Sequence, residues 1–476
     1  MRKDSRIQII GAGLCGALLA LRLGQRGYQV EVYEKRPDLR KVDISAGRSI
    51  NLAFSDRGIK AMKLVGLTQK VASLCIPMNG RMLHDTEGNT VFAAYSGRSH
   101  EYINSISRGE LNALLLDEAE ALTNVQLFFN HKCTAVDFEK GASHLYHYPT
   151  KKELVIEADC IFGTDGAGSS MRKSYYLGKK FLFSFSQDYL SHGYKELSIL
   201  PGANGAYKAY KNALHIWGRG DFMLIALPNL DGSFTVTLFL SYTEGEYNFS
   251  NLTTPEKVIE FFEKYFKDAL ALMPHLPEEF FKNPTSPLGT VKCSPWHYRG
   301  KTLLMGDAAH AIVPFYGQGM NASFEDVVEF DTVLNEADEN TSWETIFNRF
   351  ETTRKKDTDA IADLAVDNFH EMKGHVNQPI FREKRTLETA LEKHFPTQYA
   401  SKYSLVTFNE DIGYAAALEL GRAQDKALLN LIADHDIVTH EDMSIEELKI
   451  VLAKVREATE EILTEDRVSK LGQKEG

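Results

Sequence analysis

Ile9-Ile10-Gly11-Ala12-Gly13-Leu14-Cys15-Gly16, with Glu34 about twenty residues further on, is the stretch whose reading decides the fold. Arg6 to Ile10 reads as a short apolar strand. Gly11, Gly13 and Gly16 then permit a tight turn, close backbone approach to a pyrophosphate, and close packing of helix on strand. The predicted helix offers free N–H groups and the positive end of its dipole to phosphates. Ala17, Ala20, Leu21 and Leu23 give it an apolar stripe, Gly27 ends it, and Gln29 to Tyr33 reads as a second strand. Glu34 follows where an acid binds a ribose 2′-OH. A chance glycine turn in an unrelated α/β unit would lack this full set of strand, helix, second strand and acid.

The acid disfavours a 2′-phosphate in this site, which leaves NAD and FAD. A second stretch decides for FAD. Thr302 to Met305 reads as a strand, and Asp307 follows its end in Gly306-Asp307-Ala308-Ala309-His310. A carboxylate there suits a ribityl hydroxyl. Gly317-Gln318-Gly319-Met320-Asn321 then opens a helix whose first amides can face a flavin ring or a pyrophosphate. A third element, Phe162-Gly163-Thr164-Asp165-Gly166-Ala167-Gly168-Ser169-Ser170-Met171-Arg172, lies between the two. In this order the three elements resemble the class A FAD-dependent aromatic hydroxylases. In that family the Asp-Gly element is associated with both FAD and a transient nicotinamide reductant.

Composition is that of a globular protein. The 476 residues suggest roughly two or three domains of about 150 residues each. Hydrophobic residues make up 43% and charged residues 25%, and the net charge of −11 disfavours nonspecific binding to nucleic acid or an anionic membrane. Cys15, Cys75, Cys133, Cys160 and Cys293 are odd in number and form no CxxC pair, so a reducing cytoplasm is expected and no metal site. The chain starts almost directly on its first strand, and no apolar run reaches about eighteen residues, so neither a signal peptide nor a spanning helix is expected.

The expected fold class is α/β: a Rossmann-like FAD-binding layer assembled from separated segments, an antiparallel-sheet substrate domain, and a C-terminal helical region. The segments 1–75, 100–180 and 287–335 are assigned to the FAD layer, 76–99 and 181–286 to the substrate domain, and 336–476 to the helical region. Asn124 to Phe129 and Glu153 to Phe162 read as strands leading towards Asp165. Tyr207 to Trp217, Asp221 to Leu227 and Ser233 to Tyr242 read as strands of the second sheet, separated by turn signals. Thr254 to Phe266 reads as a helix with Pro255 in its first turn. From Asp425 the chain is amphipathic, with Leu428, Leu429, Leu431 and Ile432 expected to anchor a helix on the protein.

Longer runs resemble one branch of the hydroxylase family, the kynurenine 3-monooxygenases. They are Gly47-Arg48-Ser49-Ile50-Asn51-Leu52-Ala53, Gly80-Arg81-Met82-Leu83-His84, Ser105-Ile106-Ser107-Arg108 and Phe222-Met223-Leu224-Ile225-Ala226-Leu227-Pro228-Asn229. Val313-Pro314-Phe315-Tyr316 ahead of Gly317, the run from Ala362 to Met372, and Tyr403-Ser404-Leu405-Val406-Thr407-Phe408 complete them. The likeness covers about residues 6 to 410. The mitochondrial members carry a membrane-anchoring C-terminus; none is expected in this chain, as in the bacterial members.

The resemblance implies a substrate, L-kynurenine, that carries a carboxylate, an ammonium, an aryl ketone and an aniline. A guanidinium forks onto a carboxylate with two hydrogen bonds, which selects Arg81. Tyr95, across the Glu87-Gly88-Asn89 turn, would sit on the neighbouring strand of a hairpin and add a hydroxyl. Asn368 and Glu371, three apart, would share a helix face. Asn368 would complete the carboxylate site, Glu371 would pair with Arg81 or the ammonium, and Tyr403 would also contact substrate. Met223, Leu224, Thr237, Phe239, Pro314 and Phe315 are the candidate apolar wall. For FAD, Gly11, Gly13, Gly16, Tyr33 and Glu34 would take the adenosine side, and Lys35, Arg36 and Arg108 the phosphates. Cys15, Ala53 and Cys133 would contribute backbone contacts, and Asp307, Gly319, Met320 and Asn321 the flavin side. His310 is expected to be structural.

The implied chemistry uses NADPH to reduce FAD, addition of O₂ at flavin C4a, and oxygen transfer to the ring carbon ortho to the aniline nitrogen. No protein base and no metal are required. The residues leave NADPH and NADH barely distinguished, and oligomeric state open. Rival readings are a hydroxylase of another aromatic acid of the hydroxybenzoate or salicylate type, a reductase of prenyl chains, and a non-catalytic binding protein that reuses the fold. Residues from about 380 to 470 are expected to cap the pocket.

Overall fold

A computed structural model of the chain describes residues 5–41, 51–179, 181–374, 379–437, 439–440 and 443–472. Gly47 to Ile50 of the quoted run lie outside them. Arg6–Ile10 and Gln29–Tyr33 form the expected parallel pair, joined by the helix Leu14–Gln25. A six-stranded sheet grows from that pair. Its order is His297–Tyr298, Thr302–Leu304, Cys160–Gly163, Arg6–Ile10, Gln29–Tyr33 and Val125–Phe128. Every neighbour pairs in parallel except the short His297–Tyr298 strand. Parallel neighbours need crossovers, which is why the layer is collected from distant parts of the chain.

Close packing explains two of the glycines. Gly11 has φ +103° and lies where a Cβ would come 2.6 Å from the Thr164 carbonyl oxygen. A Cβ on Gly16 would come 2.0 Å from the Gly11 carbonyl oxygen, so helix and turn meet at backbone contact. The reading of 153 to 162 as one strand needs correction. Lys152–Glu157 and Cys160–Gly163 are separate strands in different sheets, the first edging a three-stranded sheet with Ala142–His147 and His131–Asp137. Between them Ala158 N–H donates to Gly141 and Asp159 N–H to Arg6, which turns the chain from one sheet to the other.

The second large sheet has seven strands in the order Thr285–Ser294, Ser184–Ile199, Phe234–Ser241, Phe222–Pro228, Leu214–Arg219, Gly80–His84 and Thr90–Ala94. The 16-residue Ser184–Ile199 strand has no clean apolar alternation in its first half and escapes sequence reading. The Gly80–His84 and Thr90–Ala94 hairpin has Arg81 opposite Ala93. It joins the sheet through a parallel pairing of Arg81 with Leu214, the one parallel step in an otherwise antiparallel sheet. One face of this sheet buries Leu224, Ala226, Val236 and Leu238 against Phe261, Phe262 and Phe266. Thr254 caps that helix, Pro255–Tyr265, by accepting from Lys257 N–H.

Helices Gly319–Glu336, Trp343–Gly374, Pro379–His394, Lys402–Thr407, Tyr414–Ala433 and Ile445–Gly472 complete the chain. Leu428 and Ile432 are buried with Leu448, Val451 and Val455, and Leu431 packs against them, so the amphipathic face is covered by protein. Among the described residues no helix is long and apolar enough to cross a membrane.

A buried charge network ties these helices to the nucleotide layer. Glu325 meets Arg57 at 2.5 Å and Arg354 at 2.6 Å, while Asp326 meets Arg354 at 2.8 Å and His310 at 2.6 Å. Removing one member of such a set strands a charge in the interior. Arg354→Met should therefore cost about 3–5 kcal/mol in urea unfolding of the FAD-loaded protein. Burial pushes the Asp331 carboxyl up, but hydrogen bonds from the half-buried Arg22 and Arg26 outweigh it and hold it below the ordinary aspartate range. A carboxyl lowered on folding stabilises at pH values above its unfolded pKa of about 3.9, and the stabilisation is lost as pH falls through the folded value. Asp331→Asn should lower Tm at pH 7 and reduce the steepness of acid unfolding below about pH 4.

Candidate active site and nucleotide cleft

One cavity of about 2400 Å³ runs from the Gly11–Gly13 turn, past Asp307, to the face of the seven-stranded sheet. That is several times a drug-sized ligand pocket of about 300–1,000 Å³ and suits a dinucleotide with a second molecule beside it.

At the nucleotide end the side chains fit FAD. A Cβ on Gly13 would meet no atom within 4 Å, so the start of the Leu14–Gln25 helix stands open to the cleft. Glu34 accepts from Ala12 N–H at 2.9 Å through one oxygen and from Arg36 N–H and Nε through the other. Burial pushes its carboxyl up, and the Arg36 hydrogen bonds bring it below its ordinary value, so it is ionised and still has lone pairs for ribose hydroxyls. Arg36, though exposed, is thus held by Glu34, and Lys35 is a second exposed cation beside it. Tyr33 lines the cleft while stacked on Phe128 at 4.8 Å, its hydroxyl 3.0 Å from Glu31.

Cys15 and Cys133 line the cleft with their thiols turned to the carbonyls of Ser323 and Ala135. Burial pushes the Cys133 thiol up to about 12 and the Cys15 thiol well above its ordinary value, so neither is a thiolate. Asp307, at the start of the Asp307–His310 helix, is exposed to the cleft. Burial raises its carboxyl, partly offset by Arg108 and His310. Arg108 starts the helix Arg108–Glu120 at the cleft wall, where Ser107 accepts from Glu110 N–H.

Asn321 is a different case. Its side chain is fully buried, donating to the Ala53 and Gly317 carbonyls and accepting from Ser55 N–H. It pins the Asn51–Phe54 strand to the helix Gly319–Glu336, and Ala53, Gly319 and Met320 line the cleft around it. Gly16 likewise serves packing and stays out of the cleft. His310 donates or accepts only within the buried network, through Asp326. Asp165 caps the Ser170–Leu177 helix by accepting from Ser170 N–H at 2.6 Å. Its other oxygen is buried with no partner among the described residues.

At the far end three tyrosines surround one cation. The Arg81 guanidinium stands 4.5 Å from the Tyr403 ring centre and 5.2 Å from that of Tyr95. Tyr95 and Tyr403 stack at 5.8 Å, and Tyr403 stacks on Tyr316 at 5.6 Å. Arg81 pairs with no carboxylate among the described residues. The Tyr95 hydroxyl is buried without a partner among them. An arginine that meets the Tyr403 hydroxyl but no carboxylate among the described residues, and an unpartnered tyrosine hydroxyl, thus face the same space. Asn368 does not stand free beside them: its amide donates to the Phe315 carbonyl at 2.7 Å and holds the Pro314–Tyr316 turn. Glu371 pairs with Lys402 at 2.5 Å rather than with Arg81.

The apolar wall follows strand alternation. Met223, Ile225 and Leu227 face the cavity with Thr237 and Phe239, while Leu224 points to the opposite core, so its place among the wall candidates is corrected. Phe239 and Phe315 meet at 5.0 Å, and Phe315 and Phe369 at 4.8 Å, with Pro314 beside them. Tyr316 and Lys402 were not singled out in the sequence. Each adjoins a chosen residue, Phe315 or Tyr403, and that adjacency was the available signal. Among the described residues no group of three or more His, Cys, Asp or Glu side chains is placed to hold a metal ion.

Comparison with known proteins agrees with this geometry. A family model described as an FAD binding domain matches residues 4–365. Kynurenine 3-monooxygenase of Myxococcus xanthus is 46% identical over 89% of this chain and 90% of its own. The enzyme of the same name from Dictyostelium discoideum is 44% identical over 94% and 96%. That from Flavobacterium psychrophilum is 41% identical over 95% and 99%. Among solved structures, 2-methyl-3-hydroxypyridine-5-carboxylic acid oxygenase superposes with TM-score 0.61 at 21% identity, covering 82% of this chain and 98% of its own. PqsL of Pseudomonas aeruginosa in complex with 2-aminobenzoylacetate superposes with TM-score 0.62 at 17% identity, over 78% and 97%. These two likenesses speak for the fold. The chain belongs to the FAD-binding-domain family and, within it, to the kynurenine 3-monooxygenases.

Proposed function

We propose that this chain is an FAD-dependent monooxygenase that hydroxylates L-kynurenine at ring position 3, consuming NADPH and O₂. The balanced reaction converts L-kynurenine, NADPH, a proton and O₂ into 3-hydroxy-L-kynurenine, NADP⁺ and water. The observation that carries the reading is the Arg81 guanidinium, caged by Tyr95 and Tyr403 at the end of a cleft that begins on a dinucleotide turn. A carboxylate-bearing aromatic of kynurenine size satisfies that cation and lies against the apolar wall.

In this reading Gly11, Gly13, Glu34, Arg108 and Asp307 hold FAD, with Tyr33, Lys35, Cys15, Cys133, Ala53, Gly319 and Met320 along its length. Bound FAD supplies the redox chemistry, accepting hydride from NADPH and activating O₂. The chain's own residues do the rest. Arg81 takes the substrate carboxylate in a forked pair, and the Tyr95 hydroxyl donates to the same group. Asn368 acts through the Phe315 carbonyl, fixing the turn that carries Pro314 and Phe315 against the aromatic ring. Met223, Thr237 and Phe239 exclude water from the ring and the activated oxygen. The substrate's aniline nitrogen activates the ring carbon beside it, so no side chain must act as base.

The direct test is NADPH oxidation by FAD-loaded protein with and without L-kynurenine, with the product identified by mass. The reading expects strong stimulation and a product one oxygen heavier. Stimulation without that product makes kynurenine an effector and sends the search to other aromatic acids. Arg81→Met should lower kcat/KM for L-kynurenine by about 10- to 150-fold, the worth of a charged hydrogen-bond pair, while FAD content stays at the wild-type level. Tyr95→Phe should lose about two- to tenfold. An Arg81→Met enzyme with unchanged kcat/KM would remove the carboxylate site from this account.

A further inference from the structure

Behind Tyr403 the cavity wall is built from a chain of charges. Lys402 Nζ lies 2.5 Å from Glu371 Oε1 and 2.7 Å from Asp425 Oδ2. Asp425 also meets Lys384 at 2.7 Å, and Lys384 meets Glu388 at 3.2 Å. The signs alternate, so Lys402, Asp425 and Lys384 are each paired on both sides. The Lys402 side chain is 10% exposed and that of Asp425 14%, whereas Glu371 is 40% exposed. Glu371 is therefore the end of the chain that opens on the cavity. Burial pulls the Lys402 ammonium down, but Asp425 and Glu371 outweigh it and hold it above the ordinary lysine value, so it is a cation.

Glu371 and Arg81 flank the same rings. Tyr403 lies under Arg81 and stacks on Tyr316, and Tyr316 is within electrostatic reach of both Arg81 and Glu371. An α-amino acid carries its carboxylate and its ammonium on one carbon. When Arg81 takes the first, the second needs an anion close by. Glu371 Oε1 is committed to Lys402, and Oε2 has no partner among the described residues.

We propose that Lys402 is a positioning residue that makes the site selective for an α-amino acid over the corresponding deaminated acid. It holds Glu371 by Oε1 so that Oε2 is presented to the substrate ammonium. Asp425 supplies the counter-charge that keeps Lys402 in place. Without Lys402, Glu371 loses its counter-charge while Asp425 keeps Lys384, and Glu371 turns away from the substrate. This inference rests on the functional reading above, because it takes the amino-acid end of the substrate to lie at Arg81.

The test compares kcat/KM for L-kynurenine and for its deamino analogue, which keeps the aryl ketone, aniline and carboxylate but lacks the amino group. The enzymes are FAD-loaded wild type, Lys402→Met, Lys402→Arg and Glu371→Gln. Wild type should prefer L-kynurenine by about tenfold or more, the worth of a charged hydrogen bond. Lys402→Met and Glu371→Gln should each reduce that preference to about threefold or less, and combining them should reduce it no further. Lys402→Arg, which keeps the cation, should restore most of it. Equal losses on both substrates in Lys402→Met would overturn the proposal by showing a purely structural role. So would an intact preference in Glu371→Gln, which can be read even if Lys402→Met does not fold. Wild type that hydroxylates neither compound would sink the functional reading itself, a result distinct from either of these.

Discussion

The pairing of Arg354 with Glu325 and Asp326 is the constraint on which the rest of the molecule depends. Its three charged groups are almost wholly removed from water, so each is tolerable only while the others are in place. Asp326 spends its second oxygen on the Gly306 N–H and on His310, which fixes the turn that presents Asp307 to the cleft. Glu325 reaches Arg57, whose remaining donors go to the carbonyls of Val406 and Ile412. Tyr414 closes the set, its ring 3.9 Å from the Arg57 guanidinium. The turn at the nucleotide end and the segment just after Tyr403 at the far end are thus anchored to one cluster of charge.

That arrangement explains how one cavity can serve two molecules. The parallel sheet positions its turns by backbone contact, as the clash of any Cβ at Gly16 shows. The seven-stranded sheet instead offers a broad face whose alternate residues are apolar on both sides, one side for its own helices and one for the cavity. Between them, the Pro314–Tyr316 turn is held by the Asn368 amide, so its rings belong to both halves at once.

What could be read from the sequence was what is local. A strand, a glycine turn, a helix and an acid lie within thirty or so consecutive residues, and each carries its own propensity and its own chemical reason. The Arg81 hairpin was legible for the same cause, since its turn lies between its strands. The Ser184–Ile199 strand was not, because its polar first half is satisfied by partners more than ninety residues away in Thr285–Ser294. The single strand expected from 153 to 162 failed at Ala158 and Asp159, whose hydrogen bonds lead out to two different sheets. In the site, the residue types were readable but their partners were not. Asn368, Glu371 and Arg36 each find a protein partner that only tertiary structure supplies.

The hairpin that carries Arg81 has a further consequence for how the protein is made. It is held at the sheet edge by Leu214, His215 and Ile216, which are synthesised more than a hundred residues after it. Loop closure of that length is slow and costs entropy before any contact repays it. The nucleotide turn can form early from neighbouring residues, while Arg81 reaches its place only when the second sheet is assembled. A nascent chain therefore makes the first turn of its cofactor cleft long before Asp307, Gly319 and Met320 arrive to complete it, so both ends of the cavity wait on distant parts of the chain.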